Sequence, residues 1–195
     1  MKRRAFLLLL AALGLAACGA GERGFQNTDL SSSAITPRAA MLGANSQPRG
    51  FEEFRGKVVI VYFGYTSCPD SCPTAMRKYA SLIRNLRSKD SERIQFLFIS
   101  IDPERDTAER SDTYAKLFNP SFIGLSGDTQ QITDVSRLFN VIYTKKTVGG
   151  NLGYIFDHSD SAYVIDSKGQ LRLALAADAL IDPIVADLQK LLGEK

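Results

Sequence analysis

Two runs of the chain are apolar on both faces, and this pattern constrains the fold more than any other feature of the sequence. The runs are KVVIVYF at 57–63 and RIQFLFISI at 93–101, both rich in β-branched and aromatic residues. A strand that buries both of its faces is typical of a parallel sheet covered by helices. The sequence therefore predicts an α/β domain built around such a sheet.

Amphipathic stretches and capping signals alternate with the strands. The predicted helices are 73–88, a helix opened by Asp106 and Glu109 that ends at Phe118, a helix opened by Asp128 and Gln131 that ends at Asn140, and a last helix opened by Asp182-Pro183. Short strands are expected around Ile123, Tyr154, Val164 and Leu173. The order β-α-β-α-β-α-β-β-α predicts a three-layer α/β domain with a mixed sheet.

The first 17 residues are typical of a secretion signal. Lys2, Arg3 and Arg4 precede an apolar run at 5–17, which would form about 20 Å of helix against a hydrocarbon core about 30 Å thick. The following Cys18 completes a sequence, LAAC, that resembles the bacterial lipobox. We expect cleavage before Cys18, a lipid anchor on that cysteine, and a domain that faces the periplasm or another extracytoplasmic space. An ordinary signal peptide is the alternative.

Residues 19 to about 50 mix Gly, Ser, Asn and Pro with little periodicity. We therefore divide the chain into a signal peptide at 1–17, a lipid-anchored tether with a possible edge hairpin at 18–50, and the domain at 51–195. Three of the 24 Lys and Arg residues lie in the leader, and the 21 that remain equal the 21 Asp and Glu residues. This balance argues against a nucleic-acid partner, which would favour a markedly basic domain.

Cys68 and Cys72 lie in the loop GYTSCPDSCP that follows the first buried run. Ligands gather beyond the carboxyl ends of strands in open α/β sheets, so chemistry is expected in this loop. A disulfide across so small a loop would stabilise the fold only weakly, which favours redox or metal chemistry for the pair. Pro73 indicates that Cys72 caps the next helix, where the helix dipole favours a thiolate.

His158 is the only histidine of the chain. It lies in FDHSDS, ahead of the predicted strand AYVID, where Asp157, Ser159 and Asp160 could orient an imidazole. Two thiolates and one imidazole would form a soft site with three donors. Copper, as Cu(I) or Cu(II), fits such a site better than structural zinc, which takes four protein ligands, although an aspartate could complete a zinc site.

Three blocks of the sequence together resemble the Sco/SenC copper chaperones of cytochrome c oxidase assembly. They are VYFGYTSCPDSCP, SIDPERDT at 100–107 and DHSDSAYVIDSKG at 157–169. The resemblance implies a thioredoxin-like fold, with a central mixed sheet flanked by helices on both faces, and copper bound by Cys68, Cys72 and His158. It also implies delivery of copper to the binuclear centre of oxidase subunit II, and reduction of that subunit's cysteines. A periplasmic thiol reductant or another copper chaperone is the further partner we expect.

An enzyme is the alternative function, either a membrane-tethered thiol-disulfide oxidoreductase or a peroxiredoxin-like protein with Cys68 and Cys72 as its redox pair. The C-x-x-x-C spacing departs from the C-x-x-C of thioredoxin-like reductases, and no proline lies between Pro120 and Pro183 to face the cysteines. A copper or redox sensor without a transfer partner also stays open. Both activities could coexist, because copper binding requires reduced cysteines.

Three further residues near these motifs have a structural and a functional interpretation. Met76 could donate a thioether, but its place on an apolar helical stripe favours a core position. Asp102 could tune a metal or steer a partner, and Asp70 adds negative charge beside the cysteines. For both aspartates we favour a role in turning the chain.

Overall fold

The computed structural model describes residues 24–194. The predicted signal peptide at 1–17 and the predicted lipid site Cys18 lie outside the described residues. The strands are β1 Thr28–Asp29, β2 Ala40–Gly43, β3 Gln47–Gly50, β4 Val58–Gly64, β5 Ile94–Ser100, β6 Ile123–Leu125, β7 Tyr143–Thr147, β8 Tyr154–His158, β9 Ala162–Ile165 and β10 Leu171–Leu175. The α-helices are α1 Ser71–Asn85, α2 Ser88–Ser91, α3 Ala108–Phe118, α4 Thr129–Leu138 and α5 Ile181–Gly193.

The central sheet has six strands in the order β1-β10-β9-β4-β5-β6. β4 is parallel to β5, and β5 to β6, whereas β9, β10 and β1 pair antiparallel with their neighbours. The predicted mixed sheet is thus confirmed. Every residue of β4 and β5 is buried, as the two doubly apolar runs predict. The carboxyl end of β4 places the cysteine loop at the middle of the sheet edge.

Two hairpins lie outside the central sheet in the described part of the chain. β2 pairs with β3, and β7 pairs with β8. The first corresponds to the edge hairpin expected before residue 51. The second was predicted only in its β8 half, because β7 reads YTKKT and four of its five side chains are exposed. A strand with no apolar face gives no periodicity for a sequence pattern to detect.

The chain from residue 24 onward contacts the domain, although its composition is typical of a tether. The buried carboxylate of Asp187 on α5 accepts hydrogen bonds from the backbone N–H groups of Gln26 and Asn27, at 2.8 and 2.9 Å. β1 then pairs with β10. The division between tether and domain at residue 50 stays a prediction. Among the helices in the described residues, none combines the length and apolarity needed to cross a membrane.

The helix starts correct two of the predicted caps. α1 begins at Ser71 with Asp70 as its N-cap, so the expectation that Cys72 caps it is wrong. Pro73 does not mark the first helical position here, because proline fits any position of a first turn, where N–H groups have no helical partner. Thr107 caps α3 by accepting from Arg110 N at 3.2 Å, so the cap predicted at Asp106 is also wrong. The capping box of Asp128 and Gln131 on α4 is confirmed.

Candidate metal centre

The cysteine loop connects β4 to α1 and places its two sulfurs at different depths. Cys72 lies in the first turn of α1 and is fully buried, whereas Cys68 precedes the helix and is half-buried. The backbone N–H of Cys72 points at Cys68 Sγ, 3.4 Å away. Cys68 and Cys72 are both free of disulfide bonds. One sulfur is therefore part of the core, and the other faces the surface at a helix N-terminus.

Asp106 fixes the loop from the neighbouring strand connection. Its buried carboxylate accepts hydrogen bonds from the Thr66 backbone N–H at 2.7 Å, from Thr66 Oγ1 at 2.6 Å and from Ser100 Oγ at 2.7 Å. These bonds explain why Asp106 does not cap α3, since its oxygens face the sheet edge instead. The residue two positions before Cys68 is thus held by a buried acceptor, which limits movement of the loop.

His158 lies at the end of β8 and reaches the cysteine loop from the opposite side. Its Nε2 lies 3.5 Å from Cys72 Sγ. The ligand atoms of Cys68, Cys72 and His158 all lie within 4.8 Å of one another. The sequence predicted this histidine in a loop, whereas the structure makes it the last residue of β8. There it lies opposite Tyr143 of β7. The convergence of the three residues agrees with the arrangement expected from the sequence.

The neighbours of the imidazole determine which ring nitrogen faces the sulfurs. Nδ1 lies 3.1 Å from the carbonyl oxygen of Ser159 and 3.4 Å from Asp160 Oδ1, both acceptors. Nδ1 therefore carries the proton in the neutral ring, and the Nε2 lone pair points at the cysteines. Of the three predicted orienting residues, Ser159 acts through its backbone and Asp160 through its side chain. Asp157 points away and pairs with Lys146.

The pKa values of the two cysteines differ widely, so that the pair holds one proton and it lies on one of the two sulfurs. A hydrogen bond from the Cys72 thiol, which outweighs the cost of burial, lowers the pKa of Cys68 to about 3. The same hydrogen bond raises the pKa of Cys72 above its ordinary value, and burial adds to this rise. The half-buried Cys68 is therefore a thiolate at neutral pH, whereas the fully buried Cys72 keeps its proton until a metal displaces it.

Two aromatic side chains from the β4 end enclose the imidazole. The rings of Tyr62 and Tyr65 approach that of His158 edge-on, with centroids 6.4 and 5.9 Å away. Burial alone would lower the pKa of His158, but hydrogen bonds to Cys68 and to the Ser159 carbonyl raise it overall. The sequence pattern alone did not indicate either tyrosine as part of the site. Their positions at the end of a strand that precedes the cysteines were the available signal.

The residues with two interpretations take structural positions. Met76 is fully buried in the core on α1. Asp102 is buried, pairs with Arg105 and accepts a hydrogen bond from the Tyr154 hydroxyl at 2.8 Å. Asp70 is exposed at the N-cap of α1, where its carbonyl accepts from Thr74 N at 3.2 Å. Within the described residues, the cluster of potential metal ligands at this site consists of Cys68, Cys72 and His158.

This chain is similar to proteins of one known family. The family model for SCO1/SenC matches residues 29–193. A mitochondrial SCO2 homologue of Mus musculus is 37% identical over 131 residues, which are 67% of this chain and 51% of the mouse protein. The chain thus spans about half the length of that relative.

Solved structures agree with the fold. The apo Sco1 protein of Thermus thermophilus has a TM-score of 0.73 and 37% identity, and the match covers 89% of this chain and all of that one. ScoI of Bradyrhizobium japonicum, solved with copper bound, has a TM-score of 0.72 and 31% identity over 82% of this chain and 100% of its own. The predicted thioredoxin-like α/β class is confirmed. The chain belongs to the SCO1/SenC family.

Proposed function

We propose that this protein binds one copper ion through Cys68, Cys72 and His158 and transfers it to a partner. The observation that carries the proposal is the convergence of two sulfurs and one imidazole nitrogen within 4.8 Å. Thiolate donors select Cu(I), which accepts three ligands, and the imidazole keeps Cu(II) accessible. The copper-bound structure of the Bradyrhizobium japonicum relative supports copper as the metal.

The recipient in this proposal is the binuclear copper centre of cytochrome c oxidase subunit II. Cys72 is buried while Cys68 is half-exposed, so an incoming ligand would reach the metal from the Cys68 side. The partner's sulfur and nitrogen groups would replace the three donors one at a time. The copper is thus cargo, and its coordination is exchangeable because the site lies at the rim of the sheet.

The proposal also locates the protein on the bacterial cell envelope. Cleavage before Cys18 and lipidation of that residue would tether the domain to the membrane on its periplasmic face. In that oxidising space a thiol reductant, or another copper chaperone, is needed to keep Cys68 and Cys72 able to bind metal. The leader sequence and its LAAC segment support this location.

Thiol-disulfide exchange is a second candidate activity, which the lowered pKa of Cys68 favours. The Cys68 thiolate would attack a partner disulfide and release one partner thiolate. Cys72, after losing its proton, would then attack Cys68 and release the second. The pair loses two electrons and the partner gains them, so subunit II cysteines would be reduced while this protein becomes a disulfide. Copper binding would stop until a reductant restores the thiols.

Titration of copper into the reduced full chain in detergent tests the proposal. Wild type should bind one Cu(I) or Cu(II) per chain, and Cu(II) should give nitrogen hyperfine coupling in electron spin resonance. Cys68→Ser and Cys72→Ser should lose stoichiometric binding, and His158→Ala should lose tight binding and the nitrogen signal. Cys18→Ser is the matched control and should bind like wild type. A His158→Ala protein that holds copper as tightly as wild type would contradict the proposed site.

A transfer assay separates the two activities. Copper-loaded protein mixed with the copper-free soluble domain of subunit II should lose its copper to that domain. Steady reduction of a protein disulfide by copper-free protein, unchanged by His158→Ala, would instead assign the enzyme function to the Cys68 and Cys72 pair.

A further inference from the structure

Within residues 24–194, the hairpin that carries His158 has no strand partner in the central sheet. β7 and β8 form a two-stranded sheet of their own among the described residues. The cysteines, in contrast, follow a central strand of the six-stranded sheet. The distance between imidazole and sulfurs is therefore set by whatever attaches this hairpin to the domain.

Arg105 connects the domain to the hairpin through several polar contacts. Its Nη1 donates to the carbonyl oxygens of Leu152 and Tyr154, each at 3.1 Å. Its Nε donates to the buried carboxylate of Asp102, and its guanidinium lies 3.7 Å from the centroid of the Tyr154 ring. The Tyr154 hydroxyl closes the arrangement by donating to Asp102. One side chain from the β5–α3 connection thus holds the start of β8.

The contacts along β8 connect this attachment to the metal ligand. Every second side chain of a strand lies on the same face, so Tyr154, Phe156 and His158 share one face of β8. The backbone N–H of Phe156 donates to the Tyr65 hydroxyl at 3.3 Å, and the two rings meet edge-on at 5.4 Å. Because an extended strand is stiff over five residues, fixing Tyr154 also fixes the direction in which His158 leaves the hairpin.

The placement of Arg105 costs folding free energy, so a contribution to stability does not by itself explain why an arginine lies there. Its Nη2 is buried and has no hydrogen-bond partner. A buried donor without an acceptor is unfavourable. The guanidinium fork is suited instead to fixing two carbonyls and a carboxylate at defined angles.

We propose that Arg105 is a positioning residue for the metal site: by fixing the β7–β8 hairpin to Asp102, it keeps the His158 imidazole within bonding distance of Cys72. The inference rests on the proposed copper site. It assigns no contact between Arg105 and the metal, and it acts only through the hairpin. Loss of the side chain leaves both sulfurs in place and loosens the hold on the histidine.

The test compares Arg105→Ala, Arg105→Lys and Lys146→Ala in the reduced full chain. Lys146→Ala is the matched control, since it removes a cation whose partner, Asp157, lies within the same hairpin. Without copper, Arg105→Ala should speed hydrogen exchange at 154–158 by about tenfold or more and leave β4 unchanged. With copper, affinity should fall by about 10- to 100-fold, the usual loss for a residue that orients a ligand. The nitrogen hyperfine signal should weaken in parallel.

Arg105→Lys should give intermediate values, because an ammonium can pair with Asp102 but cannot donate as a fork. If Arg105→Ala fails to fold, Arg105→Lys decides by the same readouts. Wild-type affinity and a full nitrogen signal in the folded Arg105 variant would overturn the inference, as would equal loss of protection in β4. If His158→Ala also leaves copper binding unchanged, the proposed copper site itself is wrong.

Discussion

The cysteine loop and the histidine hairpin contribute to one site but are held in different ways. The loop follows β4, whose residues are all buried, and is fixed by hydrogen bonds to the buried Asp106. The hairpin pairs only within itself in the described residues, and β7 is largely exposed. The sulfurs are therefore fixed by the core, whereas the imidazole depends on a few side-chain contacts. A site divided in this way can keep its thiolates in place while its third donor moves.

Hydrogen exchange should give the largest difference between the two regions. In copper-free protein, amides of Val59–Phe63 should exchange only on global unfolding, and those of Thr144–Thr147 should exchange about 1,000-fold faster or more, since local opening costs little at a two-stranded edge. Mass spectrometry of peptides from each region measures this. Equal protection factors in β4 and β7 would remove the distinction. Copper should slow exchange in the hairpin more than in β4.

Removing the buried Asp106 carboxylate, which accepts hydrogen bonds from the cysteine loop, should have the next largest effect, a loss of stability. Asp106→Asn replaces an oxygen that accepts from Thr66 or Ser100 with a donor, so the free energy of unfolding should fall by about 2–4 kcal/mol. Asp134→Asn, an exposed carboxylate that pairs with Arg137, is the control and should change it by less than about 0.5 kcal/mol. Urea denaturation monitored by circular dichroism measures both. A loss as small as the control's would show that the loop does not depend on Asp106.

The hydrogen bond between the two cysteines predicts an unusual pH dependence for the alkylation rate of Cys68. A lowered pKa keeps Cys68 ionised until the pH falls to about 3. In a Cys18→Ser background, its alkylation by iodoacetamide should change less than about twofold between pH 7.5 and 5.5, where an ordinary thiol slows by about 100-fold. Cys72→Ala removes the donor, so the pKa of Cys68 should rise and the rate at pH 5.5 should drop. A wild-type rate that follows an ordinary thiol would contradict the proton sharing.

The smallest effect is expected at an exposed contact of the hairpin. Lys145 Nζ pairs with Glu104 at 2.6 Å, and both side chains are well exposed. Glu104→Gln should leave the urea midpoint of unfolding unchanged and change copper affinity by less than about twofold. Isothermal titration with copper measures the second quantity. A loss as large as that of Arg105→Ala would show that this surface pair, rather than the Arg105 guanidinium, holds the hairpin.

The sequence predicted most reliably the strands and helix starts that depend on interactions between residues close together in the chain. Doubly apolar runs indicated β4 and β5, and an Asp and a Gln at capping spacing indicated the start of α4. The predictions failed where a side chain had competing partners. Asp106 has the spacing of a cap, but it accepts from Thr66 and Ser100 instead. The strand β7 carries no pattern because its pairing with β8 does not bury an apolar face.

The sequence by itself determined the α/β class, the ligand types and the loop that holds both cysteines, because each depends on residue chemistry or short spacing. Only the tertiary structure decided that the imidazole, 86 residues beyond Cys72, lies 3.5 Å from its sulfur, and that Nε2 rather than Nδ1 faces it. It also decided the partners of Arg105, which are carbonyl oxygens of a distant hairpin. Backbone acceptors look alike at every position, so no residue pattern records which of them a guanidinium will bind.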